Sequence, residues 1–322
     1  MIHRILVALD GSRLAEHALA HACRLARQIG AVLVLVRAAP FTTISENLAS
    51  PASGTVREAE RYLDAVRERL TKEGYSVRAA VAHGDAAPII VAEAGAHRAD
   101  LVVMGTHGRS GFRQVVLGSV AMAVLQRITI PLFLVRANEP PITVGSGPYQ
   151  TILAPLNGAA CAEAALSYLA REKLAIEARL VLLRAVPPPI EPGSVGLLGY
   201  FPAAVVEREG WRVAGDRLAA RRYLDALART RPHGRTPRIL VAVDDPARAI
   251  LEAAAREEVE LIVMVLHGRA GLDRLVHGSV ARHVLHHAPV PLLFLHQMSD
   301  DTSIPGAGTP LADKEEWHGL AE

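Results

Sequence analysis

The sequence predicts an α/β protein of two repeated, doubly wound domains, each a five-stranded, mainly parallel sheet with helices on both faces. Three observations predict it. Short, continuously apolar runs alternate with longer segments of helical periodicity, the pattern of strands buried on both faces of a parallel sheet. The same order of elements occurs twice along the chain. Half of the 322 residues are hydrophobic yet only 4% are aromatic, which favours helices and buried strands over an aromatic-rich β-sandwich.

The repeat is read by direct comparison. Asp100–Ser119 is DLVVMGTHGRSGFRQVVLGS and Glu260–Ser279 is ELIVMVLHGRAGLDRLVHGS. Gly108, Gly118 and Pro131 match Gly268, Gly278 and Pro291, always 160 residues apart. The openings His3–Ser12 and Gln150–Ala159 match at a spacing of 147, so the second copy is 13 residues longer. The Pro- and Gly-rich stretch Pro187–Pro202 is the expected place of that insertion. The chain thus divides into domains at 1–138 and 149–297, with a polar tail at 298–322, much of it expected to be flexible, in which Trp317 could dock.

In the first copy, Ile5–Leu9 is too short for a helix and ends at Asp-Gly, so it reads as a buried strand. Ser12–Ile29 has apolar residues at helical spacing, and Gly30 stops it. Ala31–Val36 is a second strand, Thr55–Gly74 a charged amphipathic helix, and Ser76–Ala82 a third strand. Ala87–His97 reads as a helix, Leu101–Met104 as a strand, Ser119–Arg127 as a helix and Leu132–Val135 as the last strand. Right-handed crossovers leave little besides a doubly wound sandwich, whose ligands sit beyond the carboxyl ends of the strands.

Composition excludes several functions. Lys plus Arg is 35 against 33 acidic residues, too balanced to mark nucleic acid or an anionic membrane as a partner. No apolar run approaches the ~18 residues that span a bilayer, and the opening MIHRILVALDGS has no signal-peptide core. Cys23 and Cys161 build no disulfide framework, which suits a reducing cytoplasm.

The residues with chemistry lie at the carboxyl edge. Gly105, Gly108 and Arg109 follow the fourth strand, and Gly118-Ser119, separated from Gly108 by nine residues, opens a helix. Glycines let backbone amides approach an anion, and a helix N-terminus adds orphan donors and the positive end of its dipole. Arg109 supplies charge. The plainer reading is a turn and an ordinary helix start; three glycines and a serine at this spacing outweigh it. There is no Walker GK[ST] and no G-x-G-x-x-G after the first strand.

This pattern, with Asp10 closing the first strand and Gly84 and Pro88 before a helix, resembles the G-x2-G-x9-G-[S/T] signature of the ATP-binding universal stress proteins, over nearly the whole chain and twice. The resemblance implies an adenine nucleotide alpha-hydrolase-like fold and a cytoplasmic stress-response protein that binds ATP, with Mg, in its first domain. It places Ala8, Leu9 and Asp10 along the nucleotide, Ala38 on the adenine, and Gly105, Gly108, Arg109, Gly118, Ser119 and Val120 on the ribose and phosphates. Asp10 would approach a phosphate only through Mg²⁺, or else bind a ribose hydroxyl; alone, it can simply form an Asx turn. The family also pairs domains through their last strands, here Leu132–Val135 with Leu292–Leu295, and two chains can pair further as a homodimer.

In the second copy, Asn157 replaces Asp10 and Val265 replaces Gly105, while Gly268, Gly278 and Ser279 remain. Asn carries no charge for a metal, and Val265 is expected to fill space that glycine leaves open and to resist positive φ. Weak or absent nucleotide binding is expected there, or binding of something smaller. His283 and His287, four apart, could bind Zn²⁺, though exposed helix histidines are commoner. His107 and His267 read as polar loop residues. No activated nucleophile or phosphotransferase constellation is visible. The rival readings are a slow ATPase or phosphotransferase, and a structural interaction protein that binds no nucleotide.

Overall fold

The computed structural model describes residues 1–39, 51–106, 117–136, 147–189, 203–230, 235–266 and 278–296. The first half runs β1 (Arg4–Ala8), α1 (Arg13–Ile29), β2 (Val32–Ala39), α2 (Pro51–Lys72), β3 (Val77–His83), α3 (Ala86–Ala96), β4 (Leu101–Gly105), α4 (Ser119–Arg127) and β5 (Leu132–Val135). The second half repeats it as β6 (Thr151–Pro155), α5 (Ala160–Arg171), β7 (Arg179–Val186), α6 (Ala203–Thr230), β8 (Arg238–Val243), α7 (Pro246–Arg256), β9 (Leu261–Leu266), α8 (Ser279–His287) and β10 (Leu292–His296).

Local chemistry sets the boundaries. The Ser12 hydroxyl accepts the Ala15 amide at 3.2 Å to start α1, and Gly30 ends it in the left-handed region at φ 74°. Ile5, Leu6 and Val7 of β1 are wholly buried, as a strand covered on both faces requires. The insertion reaches beyond the expected stretch Pro187–Pro202. Tyr62 and Tyr223 occupy equivalent places against the stacked guanidinium groups of Arg37 and Arg184. Counted from that pair, α6 begins at Ala203, well before the equivalent of the Pro51 start of α2. Part of the added length is therefore helix; residues 190–202 lie outside the described residues.

All ten strands form one sheet in the order β3-β2-β1-β4-β5-β10-β9-β6-β7-β8. Every neighbouring pair is parallel except β5 with β10, where Leu132, Phe133 and Leu134 lie opposite Phe294, Leu293 and Leu292. The two five-stranded halves thus meet through their last strands, related by a pseudo-two-fold. One apolar cluster, containing α1 and α5 residues, runs across the seam on one face; a second covers the other.

Side chains lock the seam. His21 Nδ1 lies 2.7 Å from the Tyr149 hydroxyl, and the Arg24 guanidinium sits 3.9 Å over the Tyr149 ring. Arg24 also donates to the Gly147 and Pro148 carbonyls and, at 2.6 Å, to Glu260. Arg136 donates to the Ala288 carbonyl at 2.9 Å.

Candidate functional site

Where β1 and β4 diverge at their carboxyl ends, the sheet opens into a cavity of about 350 Å³. The end of β1 supplies Ala8, Leu9 and Asp10; β2 supplies Val36 and Ala38; α3 supplies Ala86 and Ile90. Met104, Gly105 and Thr106 form the wall at the end of β4, and Gly118, Ser119, Val120 and Ala121 close the far side. Eight of the ten residues nominated from sequence line this one space: Ala8, Leu9, Asp10, Ala38, Gly105, Gly118, Ser119 and Val120. The other two, Gly108 and Arg109, belong to residues 107–116, outside the described residues. Ala38 lies within β2 rather than after it. Ala15, Val36, Ala86, Ile90, Met104, Thr106 and Ala121 were missed; strand and helix residues reveal which cavity they face only when the fold places them.

The base of the loop is pinned. The Thr106 amide donates to the Val135 carbonyl and the Gly118 amide to the Thr106 carbonyl, both at 2.8 Å. Helix α4 then starts without a side-chain cap. Its first inward bond runs from the Met122 amide to the Gly118 carbonyl at 3.0 Å, which leaves the amides of Ser119, Val120 and Ala121 at the helix end beside the cavity. Such an end suits an anion. The Asp10 carboxylate accepts the Ser12 amide at 2.9 Å. The Asx turn and the place in the cavity wall therefore coexist, and the two readings of Asp10 are compatible.

The second half carries a cavity of about 370 Å³ at the equivalent place. Its wall matches the first position by position: Pro155, Leu156, Asn157 and Ala162 from β6 and α5, Leu183 and Ala185 from β7, Pro246 and Ile250 from α7. Met264, Val265 and Leu266 end β9, and Gly278, Ser279, Val280 and Ala281 open α8. This corrects the steric expectation for Val265. Gly105 itself adopts extended backbone, paired with Val135, and Val265 does the same opposite Leu295. No positive φ is demanded there, and the valine is buried within the core cluster that includes Leu156 and Ala162. The space stays open.

A scan against protein families matches the universal stress protein family at residues 1–136 and again at 148–296. The chain belongs to the universal stress protein family. A universal stress protein of Mycobacterium bovis is 27% identical over 314 residues, 92% of this chain and 97% of its own length. Universal stress protein YxiE of Bacillus subtilis is 30% identical over 151 residues, 42% of this chain and all of its own. The crystal structure of a universal stress protein from Archaeoglobus fulgidus shares the fold, with a TM-score of 0.66 at 17% identity over 92% of this chain and 98% of that one. This universal stress protein is thus a tandem of two domains in one chain.

Among the described residues no group of three or more His, Cys, Asp and Glu side chains could hold a metal ion. His283 and His287 stack with ring centroids 4.2 Å apart, and His287 Nδ1 is 2.8 Å from the His283 carbonyl; the pair is not arranged around a cation. Cys23 and Cys161 are both free, and burial pushes the Cys23 thiol up to about 12, away from reactivity. No described helix is long and apolar enough to cross a membrane. His107, His267 and Gly268 lie outside the described residues.

Proposed function

We propose that this universal stress protein binds an adenine nucleotide, ATP with Mg²⁺, in the cavity of its first half and acts in the cytoplasm as a nucleotide-dependent regulator of the stress response. The observation that carries the reading is the convergence of Asp10, Ala38, Gly105, Gly118 and Ser119 on one cavity at the carboxyl edge, where doubly wound sheets bind ligands. The apolar floor of Val36, Ala38, Ile90 and Met104 suits a purine. The uncapped start of α4 offers amides and dipole to phosphate, and Arg109, close in sequence to Thr106, would add charge. Asp10 is a hard oxygen donor that Mg²⁺ on the nucleotide would accept, or that a ribose hydroxyl would bond. Mg²⁺ would screen the polyphosphate from that carboxylate. No general base or nucleophile enters this reading, which is one of binding and release rather than turnover.

The test is a thermal-shift titration with Mg-ATP on the wild type and on Gly118→Val, which sets a branched side chain in the cavity wall. A native-state ligand at 100 times its Kd stabilises by about 2.7 kcal/mol, a shift of several degrees in Tm. The wild type is expected to shift and Gly118→Val to shift much less. A wild type that does not move with saturating Mg-ATP refutes the reading.

A further inference from the structure

The two cavities differ in a directed way. Nine of the fifteen wall positions carry the same residue in both halves, among them Ala38 and Ala185, Ile90 and Ile250, Met104 and Met264, and the whole helix start Gly118–Ala121 against Gly278–Ala281. The other six change. Ala8, Val36, Ala86, Gly105 and Thr106 become Pro155, Leu183, Pro246, Val265 and Leu266, each a larger apolar side chain, and Asp10 becomes Asn157. A site merely losing its purpose would be expected to fill or to gather polar residues. Here the walls grow more apolar while the volume, about 370 against about 350 Å³, is kept.

We propose that the second cavity is a metal-independent site for a nucleoside-sized heteroaromatic ligand without a polyphosphate chain, and that Asn157, Val265 and Leu266 set this specificity. The inference rests on the nucleotide reading of the first cavity, whose apolar floor the second retains. Asn157 Oδ1 accepts the Ala159 amide at 3.0 Å, so the turn survives and the Nδ2 donors are what this side chain has left to offer. A donor sits where the first cavity has a carboxylate. Mg²⁺ takes oxygen ligands, carboxylates above all, and gains nothing from an amide donor. Leu266 removes the hydroxyl of Thr106, and Val265 adds an isopropyl beside it. The wall has lost what draws a cation and kept what buries a flat apolar ring.

The experiment is equilibrium dialysis of the full chain against adenosine and against Mg-ATP, each with and without EDTA, on the wild type and two reciprocal triple variants. Each variant carries residues that the other half already folds around. The wild type is expected to bind two adenosines per chain, unchanged by EDTA, but one ATP, lost in EDTA. The variant Asp10→Asn with Gly105→Val and Thr106→Leu should lose that ATP and keep both adenosines. The variant Asn157→Asp with Val265→Gly and Leu266→Thr should gain a second, EDTA-sensitive ATP. Two Mg-ATP per wild-type chain, one adenosine per wild-type chain, or triple variants with unchanged ATP counts would overturn the proposal. A wild type that binds two adenosines and no Mg-ATP would sink the first-cavity reading while sparing this one, and a wild type binding neither ligand would sink both.

Discussion

His21 titrates in a place where it cannot easily be charged. It sits in α1 with 3% of its surface exposed, its ring stacked on Tyr149 and 5.6 Å from Phe133 at the seam between the halves. Burial, then the nearby His17 and Arg24, drives its pKa from 6.5 to about 3. The native state therefore keeps His21 neutral, whereas the unfolded chain takes up a proton as pH falls through 6.5. In that window the unfolded state binds more protons, so stability rises with pH, is fully present above 6.5 and drains away toward 3. Each unit is worth about 1.36 kcal/mol, so going from pH 7 to pH 5 removes on the order of 2 kcal/mol through this residue alone. The perturbation is His21→Phe, which keeps the bulk and deletes the proton site. It also removes the 2.7 Å hydrogen bond between His21 and the Tyr149 hydroxyl, at a cost of about 0.5–1.5 kcal/mol at every pH. Urea unfolding of both proteins across that range should show the wild type more stable near neutrality and the gap closing as pH falls. A gap that stays constant with pH would refute the argument, because other titrating groups are common to both proteins.

Two further outcomes follow from the described packing. Phe133→Ala empties a fully buried position opposite Leu293 in the antiparallel seam, and should cost about 3–5 kcal/mol in chemical denaturation; a loss below about 1 kcal/mol would mean that the seam is dispensable. Gly30→Ala meets no atom within 4 Å but must hold φ near 74°, so about 1–2 kcal/mol of backbone strain alone is expected. A variant as stable as the wild type would show that this cap is not left-handed in solution.

Most of the fold was legible because its signals are local. A strand such as Leu132–Val135 is four apolar residues between Pro131 and Arg136, and α4 at Ser119–Arg127 is bounded by glycine and a run of β-formers; both are found where the sequence places them. The seam pairing followed from family resemblance, and the structure has it. Its side-chain clasp was not legible. Nothing local in the sequence singles out His17, His21 and Arg24, and only the arrival of Tyr149, 128 residues on from His21, gives His21 and Arg24 an interior partner. Val265 was misjudged for a different reason. Glycine in a motif suggests a conformational need, yet Gly105 meets only an extended strand that any residue can adopt.

The Val265 result separates two things that the motif runs together. The openings at the ends of β1 with β4 and of β6 with β9 come from strands parting at a topological switch point, a property of the backbone that survives substitution in either half. Their near-equal volumes, despite six changed wall positions, follow from that. What a cavity accepts is then set by the few side chains that face it, and at one of these positions the first cavity has the carboxylate Asp10 and the second the uncharged amide Asn157. A glycine pattern scanned along a sequence therefore tests for an open phosphate loop but says little about whether the pocket beneath it exists. In this chain the degenerate signature of the second half is evidence of altered chemistry in a retained cavity.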